Sequence, residues 1–287
     1  MTPRAHHTDY DEETTARCER ALVTLLGDLG PWRERIYLAG GLAPRYLVGQ
    51  LPEGARAHVG TTDIDLVMGL ALGDETPETY RTLQNNLEKA GFDQGKPSLR
   101  WSREVEGVSV IVEFLCETDE VEPGHIFRPK GEGAGARLAA FNVRGAHLAR
   151  DDFVEVGLEA ERLDDGGQSK VMVRVVNILP YTVLKILAFQ DRHENKDAYD
   201  LVFTLLNFEA GPREAGRSAG TSPVADHTQI AEALVLLEER FRDVDQDGCR
   251  AYALFLGDDD DERARLQQEA LATIREFLAG FKDVAQQ

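Results

Sequence analysis

The chain has 287 residues, of which 42% are hydrophobic and 29% charged, with a formal net charge of −19. That length and balance bound a globular protein with one large core or two modest ones. They exclude a membrane span, because no apolar run approaches the roughly 18 residues one needs, and Met1 to Arg20 has no apolar stretch of the kind a secretory signal carries. Cys18, Cys116 and Cys249 are widely spaced and odd in number. They make neither a zinc pattern nor a disulfide framework, which leads us to expect a reducing cytoplasm.

Apolar spacing predicts an amphipathic helix over Asp11–Leu29, closed by Gly30-Pro31. A short buried strand, Ile36–Ala39, ends in Gly40-Gly41, and a short helix follows over Leu42–Gly49 with Pro44 in its first turn. Asp63–Met68 reads as a strand. Pro77–Ala90 reads as a helix with Thr76 as cap and Gly91 as stop. Leu99–Val105 and Val108–Leu115 form a predicted hairpin through Glu106-Gly107.

The Gly- and Pro-rich stretch Pro123–Gly135 reads as a loop. Its Gly131–Gly135 run does not qualify as a phosphate loop, since no strand precedes it and no Lys-Ser/Thr follows. Charge reverses locally here. Between Val121 and Arg150, Arg128, Lys130, Arg137, Arg144 and Arg150 face only Glu122 and Glu132, so this is either a solvated loop or a contact for nucleic acid. Phe153–Leu163 and Lys170–Ile178 form a second predicted hairpin around Asp164–Gly167.

From Pro180 the pattern turns helical: Tyr181–Gln190, Lys196–Leu206, Thr228–Arg242, Arg250–Leu256 and Asp259–Phe281, with Glu209–His227 as a polar loop. The composition shift at Pro180 suggests two domains, 1–180 and 181–287. Asp243–Gly248 copies half of an EF-hand loop, but Leu254 stands where the bidentate Glu is needed, so it reads as an interhelical turn. His6 and His7 are expected in a disordered terminus.

Chemistry concentrates at Asp63-Ile64-Asp65. Residues i and i+2 of a strand share a face, so the two carboxylates aim together while Ile64, Leu66 and Met68 anchor the other side. Parallel carboxylates repel unless a cation joins them, and oxygen donors suit a hard divalent one. Gly40-Gly41, between a strand and a helix, lets backbone amides approach a phosphate. Glu113 lies mid-strand in Val110–Leu115. It is either a third ligand beside the aspartates or an edge residue facing solvent. Three carboxylates can hold two Mg2+ ions about 4 Å apart for phosphoryl chemistry. Lys185 and Arg192 are seven apart, two helical turns, and share a face that suits phosphate oxygens.

Gly40-Gly41, Asp63-Ile64-Asp65 and Glu113, followed by Lys185–Arg192 and Lys196-Asp197-Ala198-Tyr199-Asp200-Leu201, resemble the DNA polymerase β-like nucleotidyltransferase superfamily, and within it the AbiEii/AbiGii-type, MenT-like toxins. The resemblance spans Ile36 to Leu201. It implies an α+β fold: a nucleotidyltransferase core with a mixed sheet flanked by helices, and a helical C-terminal half that completes the active-site cleft. It implies Mg2+-dependent (or Mn2+-dependent) transfer of NMP from an NTP to an acceptor hydroxyl, with RNA or tRNA as acceptor. The setting would be a toxin–antitoxin or phage-defence system with a cognate antitoxin protein.

By this resemblance Asp63 and Asp65 are metal ligands with Glu113. Lys185 holds the triphosphate and Asp197 is a further essential acid; Gly40 and Gly41 from their turn, Arg192 from the face it shares with Lys185, and Thr62 as a hydroxyl are the other expected nucleotide contacts. The open alternatives for Asp197 and Asp200 are ion pairs with Arg192 and Lys196. One departure stands out: Leu42 follows the glycines where relatives carry a hydroxyl, a role that Thr61 or Thr62 would have to take. Transfer to a small molecule or protein, and a catalytically weak nucleotide-binding module, are the competing functions.

Overall fold

The computed structural model describes residues 6–51, 53–68, 77–95, 99–128 and 138–285. The protein is α+β, with a mixed nine-stranded sheet and nine α-helices among the described residues. The chain divides into two compact units: Asp11–Ala43 with Gly60–Val176, and Met1–Tyr10 with Pro44–Val59 and Asn177–Gln287. The helical unit begins at Asn177, close to the composition shift at Pro180. It also takes two N-terminal pieces that a single cut at that proline assigns elsewhere.

The first unit opens with α1 (Glu12–Asp28), whose first turn is tied by Asp11 accepting from the Thr14 amide at 2.6 Å. Cys18, Ala21, Leu22, Leu25 and Leu26 form its buried stripe. Strands β1 (Ile36–Ala39) and β2 (Asp63–Met68) follow, then α3 (Pro77–Lys89), β3 (Asp93–Gln94), β4 (Arg100–Val105) and β5 (Val108–Cys116). Short strands β6 (Ile126–Phe127) and β7 (Ala140–Asn142) precede the long hairpin β8 (Phe153–Glu161) and β9 (Gln168–Val176). Helix α2 (Pro44–Leu47) belongs to the other unit.

The strand order is β3-β4-β5-β2-β1-β9-β8, with β7 on β5 and β6 on β7. Three parallel pairings, β2 with β5, β1 with β9 and β5 with β7, lie among antiparallel neighbours, so the sheet is mixed. The β4–β5 hairpin turns at Glu106 and Gly107, both with positive φ, as a two-residue primed turn requires. Side chains alternate across β2 and β5. Ile64, Leu66, Val110, Val112 and Phe114 are fully buried, while Asp63, Asp65, Ile111 and Glu113 share the half-buried face.

The second unit holds α2 and the helices α4 (Ile178–Arg192), α5 (Asn195–Asn207), α6 (Pro212–Gly220), α7 (Thr228–Arg240), α8 (Asp247–Leu256) and α9 (Asp260–Ala285). Helix α4 starts three residues earlier than its apolar spacing predicts. Asn177 accepts from the Ile178 amide at 2.8 Å, and Pro180 falls in the first turn, where a missing amide costs nothing.

Helix α6 corrects the expectation of a loop over Glu209–His227. Its sequence has few large apolar residues, but it packs directly on α9. A Cβ at Gly216 would overlap the Phe277 carbonyl, and one at Gly280 would overlap that of Arg213, so only bare backbone fits at this crossing. His6 and His7 correct another expectation: they sit in and before a short 3-10 turn, His7–Asp9. The Gly131–Gly135 run, Thr76, Lys130 and Arg137 lie outside the described residues.

Candidate functional site

Strand register decides which sequence-predicted acids meet in the sheet unit. Asp65 is paired across the parallel β2–β5 ladder with Glu113, and Asp63 with Ile111. The three carboxylates therefore lie on one face, at rungs two residues apart. Asp65 is also the antiparallel partner of Ala39, the last residue of β1. Gly40 follows directly, in a 3-10 turn with Gly41 and Leu42, at φ +64. A Cβ at Gly40 would overlap the Asp65 carboxylate. The first glycine thus serves two needs at once: a left-handed backbone and close approach to an acid. Gly41 is buried in the same turn, and Leu42 points into the core at 1% exposure.

Each acid has its own surroundings. Asp63 accepts a hydrogen bond from Thr61 Oγ1 at 2.8 Å, and Thr61 is itself buried. Thr62 is half-buried in the bend that leads into β2. Glu113 is engaged by Arg100, its antiparallel partner on β4, whose Nε donates to Oε1. Glu113 is therefore an interior-strand residue with a cation, which removes the solvent-facing alternative. Arg100 did not stand out in the sequence, because the pairing that puts it opposite Glu113 is set by the hairpin register. Carboxylate oxygens are the donors a hard divalent cation takes, but Asp63, Asp65 and Glu113 do not bring one oxygen each within 4.8 Å of the others.

The helical unit contains the remaining predicted residues, Lys185, Arg192 and Asp197. Lys185, on α4, is buried, and its ammonium lies 2.7 Å from Asp200 Oδ2 and 3.3 Å from Asp197 Oδ1. Arg192 grips Asp197 with two bonds, at 2.6 and 2.7 Å. Lys196 reaches Asp200 at 2.7 Å, one helical turn away. Three cations thus converge on two carboxylates that are each about 1% exposed. Both acids carry the ion pairs that the sequence left open as alternatives. The network's most exposed cation is Arg192, 54% exposed, whereas Lys185 lies inside.

His58 completes the network and had no signal in the sequence, since it lies in an irregular segment without periodicity. Its Nε2 is 3.0 Å from Asp200 Oδ1, and its ring stacks on Tyr199 at 5.2 Å and meets the edge of Phe203 at 4.9 Å. Burial pushes His58 below its ordinary pKa despite the neighbouring carboxylate, so the ring is neutral and donates to Asp200. Burial also opposes charge at Lys185, yet the two carboxylates outweigh it and hold the ammonium well above its usual range. Burial likewise works against charge on Asp200 and Asp197. The ammonium of Lys185, with Lys196 and His58 at Asp200 and Arg192 at Asp197, reverses that and lowers both.

Of the basic stretch, Arg128, Arg144 and Arg150 are exposed. The interhelical turn covers Asp243–Gln246, where Asp243 accepts from the Asp245 amide at 3.0 Å, while Asp247 and Gly248 open α8 and Asp247 pairs with Arg240 at 2.7 Å. No helix among the described residues is long and apolar enough to cross a membrane. Comparison of the chain with models of protein families, with curated proteins and with solved structures finds no match.

Proposed function

We propose that the protein is a divalent-metal-dependent nucleotidyltransferase with a polymerase β-like core. The observation that carries this reading is the common face of Asp63, Asp65 and Glu113 beside a glycine turn that packs against Asp65. Asp63 and Asp65 would hold Mg2+ or Mn2+, with Glu113 as third ligand once it leaves Arg100. The metal supplies charge neutralisation for an NTP's phosphates. Thr61 holds Asp63 in place, and the backbone amides of the turn at Gly40 and Gly41 would meet a phosphate at the strand end. The acceptor hydroxyl bonds to the α-phosphorus, the bond to the β-phosphate oxygen breaks, pyrophosphate leaves and the hydroxyl proton passes to solvent.

Lys185 as a nucleotide contact and Asp197 as an essential acid rest on the family resemblance, Arg192 on the helix face it shares with Lys185, and Thr62 on the hydroxyl that Leu42 lacks. The ion pairs of Lys185 and Asp197 give them a structural role whatever else they do. RNA, tRNA included, is the proposed acceptor, with the exposed Arg128, Arg144 and Arg150 as its contact. A toxin or defence effector held in check by an antitoxin is the proposed setting. The net charge of −19 favours a second reading, transfer to a small molecule or protein.

Incubation with labelled NTPs, Mg2+ and total RNA tests these readings. Labelled RNA that disappears with Asp65→Ala supports the first, and charge reversal at Arg144 and Arg150 should then weaken RNA binding in a salt-dependent way. Label on protein or small molecules alone selects the second. Transfer that survives Asp65→Ala refutes the site.

A further inference from the structure

The N-terminal segment brings a different donor set together, within the helical unit. One ligand atom each from His6, His7 and Asp258 lies within 4.8 Å of the others. His6 Nε2 is 3.7 Å from Asp258 Oδ1, and the two imidazole centroids are 4.3 Å apart. Asp258 belongs to the short link between α8 and α9.

The second nitrogen of each ring is engaged. His7 Nδ1 is 3.3 Å from the Phe255 carbonyl oxygen, which can only accept, so Nδ1 carries the proton and Nε2 presents a lone pair. His6 Nδ1 is 3.2 Å from the Thr8 hydroxyl, which can accept in the same way. An imidazole oriented by a carbonyl or hydroxyl on one nitrogen and open on the other is the usual arrangement of a metal-binding histidine.

The segment is also anchored. The Tyr10 ring lies 5.9 Å from that of Phe255, and the Lys196 ammonium sits 5.1 Å from the Tyr10 ring. Glu262, the neighbouring carboxylate, is committed to Arg56 at 2.6 Å and to the Asp258 amide at 3.0 Å. That leaves Asp258 to serve the cluster.

We propose that His6, His7 and Asp258 form a binding site for Zn2+ or a similar borderline cation, with water in the fourth position. The metal fastens the N-terminal segment to the α8–α9 link. Imidazole donors favour such an ion over Mg2+. Ligand atoms on a tetrahedral zinc centre stand on the order of 3.4 Å apart, so the His6–Asp258 spacing of 3.7 Å is already close to bonding geometry. The remaining adjustment falls on an exposed aspartate and a short terminal turn. This site uses none of the residues assigned to nucleotidyl transfer.

The test is titration of the chelator-stripped full-length protein with Zn2+ in excess Mg2+, repeated with Co2+ and read by its visible absorption. The expected result is one Zn2+ per chain, a higher melting temperature, and a Co2+ spectrum of mixed nitrogen and oxygen ligands. His6→Ala, His7→Ala and Asp258→Asn should each weaken binding by about tenfold or more, while the Asp63→Asn/Asp65→Asn variant keeps it. Absence of Zn2+ binding overturns the proposal. So does unchanged affinity in the His6→Ala/His7→Ala variant, or loss of binding in Asp63→Asn/Asp65→Asn. None of these readouts depends on NMP transfer, so this site and the nucleotidyltransferase reading stand or fall separately.

Discussion

Replacing Lys185 with methionine isolates the buried charge network. The substitution keeps the aliphatic length and removes the ammonium that lies 2.7 Å from Asp200 and 3.3 Å from Asp197. Asp200 retains Lys196 and His58, and Asp197 retains Arg192, so neither acid is left bare. Arg192, however, is half exposed, and water screens much of what it contributes. Two hydrogen bonds between charged groups are lost at about 1.5–3 kcal/mol each. Breaking a buried pair from one side typically costs about 3–5 kcal/mol. The first route gives a loss of about 3–6 kcal/mol and the second about 3–5 kcal/mol, a large part of the usual total stability of a protein.

The assay is urea unfolding followed by two probes. Far-UV circular dichroism follows all the helices, of which α4–α9 hold the larger share. Fluorescence follows Trp32 and Trp101, the protein's two tryptophans, both in the sheet unit. The dichroism midpoint should fall, and adding Asp200→Asn should cost less than it does alone, because the two residues share one interaction. A shift worth less than about 1 kcal/mol would refute the reasoning, since the Arg192, Lys196 and His58 contacts would then be sufficient by themselves.

Three further outcomes follow from the same geometry. Gly40→Ala should abolish NMP transfer, because the new Cβ displaces the Asp65 carboxylate, while the left-handed backbone costs about 1–2 kcal/mol of stability; full activity would contradict that contact. Gly280→Leu should lower the dichroism midpoint by about 1–3 kcal/mol or more through overpacking against α6, and an unmoved midpoint would show that the helices can part. The two perturbed histidines should act on opposite sides of neutrality. His58 has a folded pKa below 6.5, so its contribution is complete above 6.5 and fades as pH falls toward the folded value. His147 is raised, chiefly by its hydrogen bond with Glu117, so its contribution is complete below 6.5 and fades as pH rises through the folded value. His58→Gln should flatten the acid side of the stability profile and His147→Gln the alkaline side; profiles that keep their slopes would reject the assignments.

Local periodicity made much of this architecture legible. Strand β2 runs over Asp63–Met68 as its alternation predicts, and the Glu106-Gly107 hairpin forms where the turn chemistry puts it. The pairing of Asp65 with Glu113 was not legible in the same way. The two strands are parallel, with α3, β3 and β4 intervening in the chain, so the adjacency depends on topology and not on spacing. Helix α6 escaped because its signal is the absence of side chains at a tight crossing, which reads as loop composition. Lys185 was placed correctly on a helix. Its burial between two acids needed both the α4–α5 arrangement and His58 from a distant loop.

The division of the chain bears on how the protein is made. Neither unit is one continuous segment. The path changes unit after Tyr10, after Ala43, after Val59 and after Val176. On a ribosome, every residue of the sheet unit has been synthesised once Val176 is reached, so that unit can mature early. The pieces Met1–Tyr10 and Pro44–Val59 have no completed home at that stage. His58 must wait through 142 residues of synthesis for Asp200. Until then these early segments lack the rest of their unit.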